Sequence, residues 1–400
     1  MIHITDKSHC CGCSSCVSVC PKQCIKMVKD EEGFLYPETD TSFCIKCKLC
    51  ENVCPELCQK EERTPISVYA IKNKNEQIRL VSSSGGIFTL LAEKVINEGG
   101  VVFGARFNAE WDVVHDYTET KEGISAFRGS KYVQSRMGNC YQKVKSFLQC
   151  RKVMFTGTPC QIAGLKNYLG KDYDNLLTVD VVCHGVPSPK VWQMYLNETI
   201  HKSEKNLFLS HSISKRDVLI KNISFRDKCS GWKKFSFTLI LSEMTTGGGK
   251  GRNSVSLSSI FSKNPYMNAF LLDLSLRPSC YSCPAKEGKS GSDVSIADFW
   301  GIENVLPDFD DDKGVSLVLS YSEKGESWLN SLDYEYREVS YQTAKQENPS
   351  MVFSVVKPVN RNFFFHQLKS GKSIQQICDN CTSTALNKRI NRFLYRKFNL

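Results

Sequence analysis

A cysteine pattern occurs twice within the first fifty-five residues of the chain. Both copies have the spacing C-x2-C-x2-C-x3-C-P, in which three thiolates surround one iron–sulfur cube and the fourth leads to the other cube. The alternative is zinc, but zinc sites use single sets of four ligands built from C-x2-C pairs, so two interleaved sets favour a ferredoxin module. The spacing predicts two 4Fe-4S clusters, one held by Cys10, Cys13, Cys16 and Cys54 and the other by Cys44, Cys47, Cys50 and Cys20.

The segment between the two copies predicts a β-hairpin. Residues 25–30 alternate between apolar and polar side chains, residues 31–33 favour a turn, and residues 34–36 predict the returning strand. Cys24 and Cys58 each lie four residues after the last cysteine of a copy, and we interpret them as small buried side chains beside the clusters. Cys11 has no counterpart in the second copy, so the pattern assigns it no role.

Length and composition set the broad class of protein. The chain has 400 residues, enough for two or three domains, and contains twenty cysteines. It shows no signal-peptide pattern and no run of eighteen apolar residues, which predicts a soluble, cytoplasmic protein in a compartment where thiols stay reduced. The net charge is +10, yet no nucleic-acid-binding module is visible. The basic tail predicts a helix packed on the protein, with a helix on a membrane surface or an acidic partner as the alternative.

Beyond residue 60 the sequence predicts a larger mixed α/β domain. Residues 61–66 form a polar, proline-marked linker that ends the small ferredoxin-like α+β domain of residues 1–60. Short apolar strands then alternate with helices over residues 67–340, with a boundary between two halves near residue 150. This pattern is typical of a sheet covered on both faces. Residues 341–400 predict a helical C-terminal extension.

Two loops of this larger domain follow predicted strands and carry cysteines, Cys160 and Cys183. In open α/β sheets, ligands bind beyond the carboxyl ends of the strands, which is where both loops fall. A C-x2-C pair, Cys280 and Cys283, lies further along the chain. Spacing alone leaves three alternatives for these four residues: a third iron–sulfur cluster, structural zinc, or buried thiols without a ligand.

Six short motifs in register carry a family resemblance. The motifs are Ser82-Ser83-Ser84-Gly85-Gly86, Arg128-Gly129-Ser130-Lys131-Tyr132, Gly157-Thr158-Pro159-Cys160-Gln161, Cys183-His184-Gly185, Arg277-Pro278-Ser279-Cys280 with Cys283, and Asp298-Phe299-Trp300-Gly301. With these motifs the chain resembles the beta-subunit family of deazaflavin-coenzyme (factor 420) hydrogenases and dehydrogenases over residues 1 to about 365. The resemblance implies a flavoprotein that binds FAD and a third 4Fe-4S cluster, whose ligands would be Cys160, Cys183, Cys280 and Cys283.

The flavin site implied by this resemblance has a physical rationale. The chain has no G-x-G-x-x-G fingerprint, but glycines and hydroxyls before a predicted helix can hold a pyrophosphate on free backbone N–H groups. Basic residues add charge for phosphate or the flavin ring. The alternative is an ordinary capped helix and a solvated basic turn. The predicted flavin-binding residues are Ser83, Ser84, Gly85, Gly86, Arg128, Ser130, Lys131 and Thr158.

His184 is the candidate catalytic residue, because it adjoins a predicted cluster ligand at a strand end and could relay a proton. It could equally shape the loop through hydrogen bonds. Cys378 and Cys381 lie beyond the matched motifs and have no partner pair, so we assign them no role.

These features together predict an oxidoreductase. Electrons would enter through the ferredoxin module, pass a third cluster and reach FAD, which exchanges single electrons for pairs. The predicted partners are a soluble ferredoxin or another redox protein and a small organic substrate, either a deazaflavin or a glycan precursor. An electron-transfer adaptor without its own substrate is the alternative, and a redox sensor is the weaker third interpretation. The sequence leaves open whether the chain forms a homo-oligomer.

Overall fold

The computed structural model of the chain describes residues 1–207, 218–244 and 250–382. The basic tail, for which the sequence predicts a helix, lies outside these residues, as does most of the glycine-rich segment that begins at Gly247. The described chain forms two compact units. The first contains residues 1–129, 134–186 and 277–355, and the second contains residues 130–133 and the described residues of 187–276 and 356–382.

The described elements alternate between helices and strands along most of the chain. The helices are α1 (Ser15–Val19), α2 (Leu49–Asn52), α3 (Glu76–Leu80), α4 (Ile87–Asn97), α5 (Lys121–Phe127), α6 (Cys140–Phe147), α7 (Pro159–Leu169), α8 (Pro189–Leu207), α9 (Pro265–Leu271), α10 (Ile302–Val305), α11 (Glu323–Asn330), α12 (Tyr341–Glu347), α13 (Arg361–Gln367) and α14 (Ile374–Thr382). The strands are β1 (Ile25–Lys29), β2 (Leu35–Thr39), β3 (Ser67–Asn73), β4 (Val101–Phe107), β5 (Val113–Thr118), β6 (Val153–Gly157), β7 (Leu176–Val181), β8 (Val218–Asp227), β9 (Ser236–Met244), β10 (Lys250–Ile260), β11 (Val294–Asp298), β12 (Ser316–Ser320) and β13 (Tyr334–Glu338).

The N-terminal hairpin predicted from the sequence is present. Strands β1 and β2 pair antiparallel, and the Asp30 carboxylate accepts hydrogen bonds from the backbone N–H groups of Glu32 and Phe34 in the turn. Asp30 is a turn residue for this reason, since its short side chain can reach its own backbone two to four residues on. The Phe34 side chain is fully buried, which fixes the hairpin against the rest of the first unit.

The first unit is built on an eight-stranded sheet with the order β13-β3-β12-β11-β7-β6-β4-β5. The central strands β4, β6, β7 and β11 run parallel, whereas β5, β12, β3 and β13 add antiparallel pairs toward the two edges. This mixed sheet with intervening helices confirms the predicted α/β class. The carboxyl ends of β6 and β7 meet at one edge of the sheet, as the sequence pattern predicts for the loops that follow them.

Helices cover both faces of this sheet because successive strand residues point to opposite sides. Val102, Met154 and Leu177 pack with α4 in one core cluster. Their immediate neighbours in the strands, including Val153 and Leu176, pack with α6 and α7 in another. The central strands are therefore apolar on both faces, which explains their continuous apolar runs in the sequence.

The second unit has a three-stranded antiparallel sheet in the order β10-β9-β8. Its core is aromatic: Trp192 of α8 lies 5.0 Å from Phe225 and 5.0 Å from Tyr266, measured between ring centroids. Cys378 and Cys381 are buried in α14 of the same unit. Among the described helices, none is both long enough and apolar enough to cross a bilayer.

Candidate functional site

The two N-terminal cysteine loops share one backbone conformation. Gly12 and Lys46 occupy the same position in the two copies and have φ angles of 73° and 54°. Ser14 and Lys48 also correspond, with φ angles of 65° and 61°. Alternating left-handed and right-handed residues turn successive N–H groups toward one concave side, an arrangement that suits anions such as a cluster with its sulfides. Both loops therefore curl in the way that a bound cubane requires.

The first predicted quartet of thiols, Cys10, Cys13, Cys16 and Cys54, lies together in the structure. Burial raises the pKa of Cys16, and the charges of the other three members act on it in the same direction. Burial likewise raises the pKa of Cys54 to about 11, with Cys13 and Cys10 adding to the effect. Thiolates so close and so deeply buried repel one another unless a metal neutralises them, because a coordinating cation holds thiols deprotonated. The donor set fits an iron–sulfur cluster.

The second predicted quartet, Cys20, Cys44, Cys47 and Cys50, lines one open surface pocket. The Cys24 thiol lies 3.4 Å from the Cys20 sulfur at this cavity. Burial raises the pKa of Cys24 to about 11, and this thiol lies buried beside the quartet as predicted. Cys58, for which the sequence predicts the same position, is exposed instead.

The third set, Cys160, Cys183, Cys280 and Cys283, is dispersed over more than 120 residues of sequence but is brought together by the fold. Each of the other three thiols acts electrostatically on Cys183, whose pKa burial raises well above its usual value. Burial also raises the pKa of Cys280 to about 11 and of Cys283 to about 12. The loop after β6 supplies Cys160 and the loop after β7 supplies Cys183, so the parallel strands position half of the set.

Within residues 1–207, 218–244 and 250–382, no group of three His, Cys, Asp or Glu side chains has the spacing that would hold a single metal ion.

Arg277 is a buried cation beside the first quartet that the sequence motif did not explain. Its Nε donates to the Cys10 carbonyl at 2.6 Å, and its two terminal nitrogens donate to the Gln134 side chain at 2.9 Å and the Leu35 carbonyl at 3.0 Å. One of them also lies 3.5 Å from the Cys10 sulfur, and the guanidinium stacks 4.2 Å from the Tyr36 ring centre. Although burial opposes it, the charge of Cys10 raises the pKa of Arg277.

Lys286 is a second buried cation, placed beside the third quartet. Its ammonium donates to the Cys183 carbonyl at 2.5 Å and to the Ser350 carbonyl at 2.6 Å. Its charge acts against the effect of burial on the thiol pKa values of Cys183, Cys280 and Cys283. Net charge near a cluster is one determinant of its reduction potential, so Arg277 and Lys286 are positioned to tune the clusters that these thiols would hold.

Cys11 joins the first and third quartets. It is buried, and the neighbouring thiols of Cys13 and Cys160 raise the pKa of Cys11 well above its usual value. The proximity of Cys11 in turn lowers the pKa of Cys13 to about 7 and also lowers the pKa of Cys160. Cys11 is therefore a buried thiol close to one predicted ligand of each quartet. No sequence signal indicates this role, because it depends on a contact across about 150 residues.

A hydrogen-bond chain supports the loop that carries Cys160. The His115 Nε2 donates to the Thr156 carbonyl at 2.9 Å, which leaves Nδ1 to accept from the Ser135 hydroxyl at 2.8 Å. Ser135 accepts from the Gln161 amide nitrogen at 2.9 Å, and the Gln161 amide oxygen accepts from the Thr158 backbone N–H at 2.9 Å. Every donor in this buried chain has an acceptor, so the network fixes the start of α7.

Part of the predicted flavin loop before α4 forms hydrogen bonds with other residues of the chain. The Ser84 hydroxyl donates to the Val315 carbonyl at 2.6 Å, and the Gly85 N–H donates to the Ser316 hydroxyl at 3.0 Å. No described side chain caps α4, which begins after Gly86 at a φ of 86°. The N–H groups of its first turn are therefore the groups of this loop best suited to face a phosphate.

Arg128 lies at the same helix, where its Nε donates to the Thr89 hydroxyl at 3.1 Å. Burial lowers the pKa of Arg128, but its guanidinium remains charged. The helix terminus and the cation together fit an anionic cofactor. Ser83 remains a predicted contact.

The other predicted residues are distributed as follows. Thr158 begins α7, and its hydroxyl lies 3.2 Å from the Cys160 sulfur, so the structure places it at the third quartet. His184 is half-buried in the loop after β7, and its proton-relay role stays a prediction. Ser130 and Lys131 belong to the second unit, where burial lowers the pKa of Lys131 to about 7.

A small cavity lies beside the third quartet and includes Cys183 and Lys286 in its wall. The Asp180 carboxyl also lines it, accepts a hydrogen bond from the Ser295 hydroxyl, and has its pKa raised by burial. Tyr321 completes a set of polar groups around this space. The cavity therefore offers an acid, an ammonium and a phenol next to the predicted cluster ligands.

Residues 150–345 match the model of a protein family, that of the carboxy-terminal region of the coenzyme F420 hydrogenase/dehydrogenase beta subunit. This match confirms the resemblance predicted from the sequence motifs. The family, the fold and the grouped thiols together indicate an iron–sulfur oxidoreductase of the α/β class. All four cysteines of the third quartet lie within the matched residues.

A solved chain from the F420-reducing NiFe hydrogenase complex of Methanosarcina barkeri is structurally similar to this protein. The two chains are 14% identical, and the alignment covers 78% of this chain and 94% of that chain with a TM-score of 0.44. No curated protein matches the sequence.

Proposed function

We propose that the chain is an iron–sulfur flavoprotein oxidoreductase that passes electrons from two ferredoxin-type clusters, through a third 4Fe-4S cluster, to FAD and on to an organic substrate. The observation that carries this proposal is the proximity of two quartets: the buried Cys11 thiol lies near both Cys13 of the first and Cys160 of the third. When bound, the clusters would supply single electrons and the flavin would exchange them for pairs.

Each group of residues at the site would have its own role in binding the clusters and the flavin. Twelve cysteines would hold the clusters, and the buried cations Arg277 and Lys286 would offset the negative charge of the first and third quartets. The uncapped start of α4, with Arg128 beside it, would hold phosphate groups of the flavin. The buried chain from His115 to Thr158 would keep the Cys160 loop rigid.

The proposed substrate is a deazaflavin, by analogy with the family description, and a glycan precursor is the second candidate. Proposed partners are a ferredoxin or a similar redox protein. The proposed domain organisation remains a ferredoxin-type segment at residues 1–60, a linker at 61–66, a catalytic region at 67–340 and a helical extension after it.

Anaerobic purification with iron and flavin analysis tests the proposal. We expect roughly twelve iron atoms per chain, four for each cubane, and one FAD. Cys160→Ser and Cys283→Ser should each remove about a third of the iron, because each deletes one of four ligands of a single cluster. The matched control is Cys150→Ser, an exposed cysteine outside all three quartets, which should leave the iron content unchanged.

Two results would contradict the proposal. If the third-quartet variants keep all their iron and their electron paramagnetic resonance spectrum, the third cluster does not exist. If the iron-loaded chain takes up no flavin in a titration, it is an electron-transfer adaptor rather than a flavoenzyme.

A further inference from the structure

The two cysteine loops have the same backbone but opposite surroundings. In the first loop, a Cβ added at Gly12 would lie 2.9 Å from both the Arg277 guanidinium and the Gln134 side chain, so this loop is covered by the body of the first unit. In the second loop, the equivalent residue is Lys46, which is exposed. The first quartet therefore faces inward, and the second faces the surface.

The surface around the second quartet combines apolar and basic side chains. Phe43 is 67% exposed, Ile45 58% and Leu49 40%. Cys47, one of the predicted ligands, is itself exposed between them. We call this surface the outer face and define it by Lys22, Phe43, Ile45, Lys46, Lys48 and Leu49.

The charged residues that define the outer face are all lysines. The wall of the cavity at the second quartet contains Lys22, Lys46 and Lys48 and no Asp or Glu. Two acids lie within three residues of the outer face in the sequence: Glu51 pairs with the N-terminal ammonium of Met1, and Asp40 accepts hydrogen bonds from the backbone and side chain of Ser42. Both Lys46 and Lys48 hold their positive φ angles at a steric cost that a glycine would avoid.

We propose that the outer face is the docking surface for a small acidic one-electron carrier protein, a proposal that rests on the function proposed above. Apolar side chains surrounded by lysines suit a transient interface, in which opposite charge accelerates encounter and an apolar centre excludes water. The transfer itself moves one electron from the reduced carrier to this chain, with no bond formed or broken and no proton moved.

Charge also argues against two other occupants of the outer face. A second copy of the chain would place the same lysines opposite each other in a two-fold contact, and each copy carries a net charge of +10. The chain's own tail is basic as well, with Lys388, Arg389, Arg392, Arg396 and Lys397 and no acid after Asp379. Like charges repel in both cases, whereas an acidic carrier is attracted.

Stopped-flow reduction of the anaerobic, iron-loaded full chain tests the proposal. The probe is a purified acidic bacterial ferredoxin in its reduced form, and reduced methyl viologen is the comparison reductant. For the unmodified chain, the second-order rate with ferredoxin should fall at least about tenfold between about 0.01 M and about 1 M salt, as the Debye length shrinks from about 30 to about 3 Å.

Two variants separate docking from folding. Lys46→Gly gives the second loop the glycine that the first loop has at the same position. It should remove the steric cost of a positive φ angle, so the midpoint of thermal unfolding should not fall. Lys46→Gly should also lower the rate of reduction by ferredoxin at low salt. Lys48→Glu reverses a charge and should lower this rate further, by about tenfold. Neither variant should change the rate of reduction by methyl viologen. The matched control is Lys29→Glu, an exposed lysine at the far end of β1, which should leave both rates unchanged.

Several results would overturn the docking proposal: ferredoxin rates that do not change in the lysine variants, an equal loss in Lys29→Glu, or a chain that viologen reduces but ferredoxin does not. A dimer in analytical ultracentrifugation that Lys48→Glu strengthens would assign the face to a second copy. A faster ferredoxin rate after deletion of residues 383–400 would assign it to the tail. A chain that retains no iron would instead contradict the proposed function.

Discussion

At the scale of single residues, the site depends on polar groups that are buried beside thiols. Arg277 contributes most of these contacts, because its guanidinium reaches the Cys10 carbonyl, the Leu35 carbonyl and the Gln134 side chain. Removing the guanidinium would leave these buried acceptors without hydrogen bonds. Each such acceptor lowers the free energy of unfolding by about 1 to 3 kcal/mol. The residue therefore links the N-terminal loop to the sheet.

We expect Arg277→Ala to lower the free energy of unfolding by about 3 to 5 kcal/mol, because it empties a buried site and leaves three acceptors unpaired. Arg277→Lys should restore part of this loss, since a lysine keeps the charge but cannot span three acceptors with one planar group. Chemical denaturation measured by circular dichroism checks both variants. The control is Arg337→Ala, an exposed arginine on the edge strand β13, and an Arg277→Ala midpoint equal to that control would show that these bonds add nothing.

At the scale of elements, the short loops at the ends of β6 and β7 decide where the third quartet forms. Helix α7 begins directly after the first of these loops and packs against the N-terminal cysteine segment. A Cβ added at Gly164 of α7 would lie 2.5 Å from the Ser15 hydroxyl and 3.0 Å from the Cys13 sulfur. The helix can approach the first quartet this closely only because this residue has no side chain.

Gly164→Ala gives a direct test of this packing. Alanine favours an isolated helix over glycine by about 1 kcal/mol, so the variant would be stabilising if helix propensity decided the outcome. We expect the opposite, a loss of about 1 to 3 kcal/mol from overpacking together with reduced iron at the first quartet. Thermal melting and iron analysis report the two effects, and Lys145→Ala, which replaces an exposed lysine on the neighbouring helix α6, is the control. A stabilised Gly164→Ala protein with full iron would contradict the close approach.

At the scale of the whole molecule, the N-terminal segment and the eight-stranded sheet belong to one compact unit. Within the linker predicted at residues 61–66, the Arg63 side chain donates to the Gly288 carbonyl at 2.9 Å and the Ser292 carbonyl at 2.8 Å. Gln142 and Asn167 of the sheet's helices also donate to carbonyls of the N-terminal segment. These contacts connect the N-terminal segment to the sheet and its helices.

We therefore expect the N-terminal segment and the large sheet to unfold in one cooperative step. Under anaerobic conditions, the visible absorbance of the iron–sulfur clusters and the far-ultraviolet circular dichroism should be lost at the same denaturant concentration. Limited proteolysis within residues 61–66 should be slow, and fragments cut there should stay associated. Two well-separated transitions would show instead that residues 1–60 form an independent domain.

Much of this protein can be predicted from its sequence because the relevant signals are local. The repeated cysteine spacing predicts two quartets, since a cubane imposes its ligand spacing within a few residues of chain. Alternating apolar strands and helices predict the α/β class, and the hairpin at residues 25–39 follows from alternation and turn residues. The six motifs indicate the family, and the match to residues 150–345 confirms it.

The tertiary structure alone decides which of these local features meet. Cys11 lacks a counterpart in the repeat, yet the fold places it between Cys13 and Cys160. Arg277 and Lys286 are ordinary basic residues in the sequence, and only burial beside thiols gives them an electrostatic effect. Long-range contacts of this kind leave no periodic trace in the sequence, because they depend on how loops far apart in the chain are brought together at one edge of a sheet.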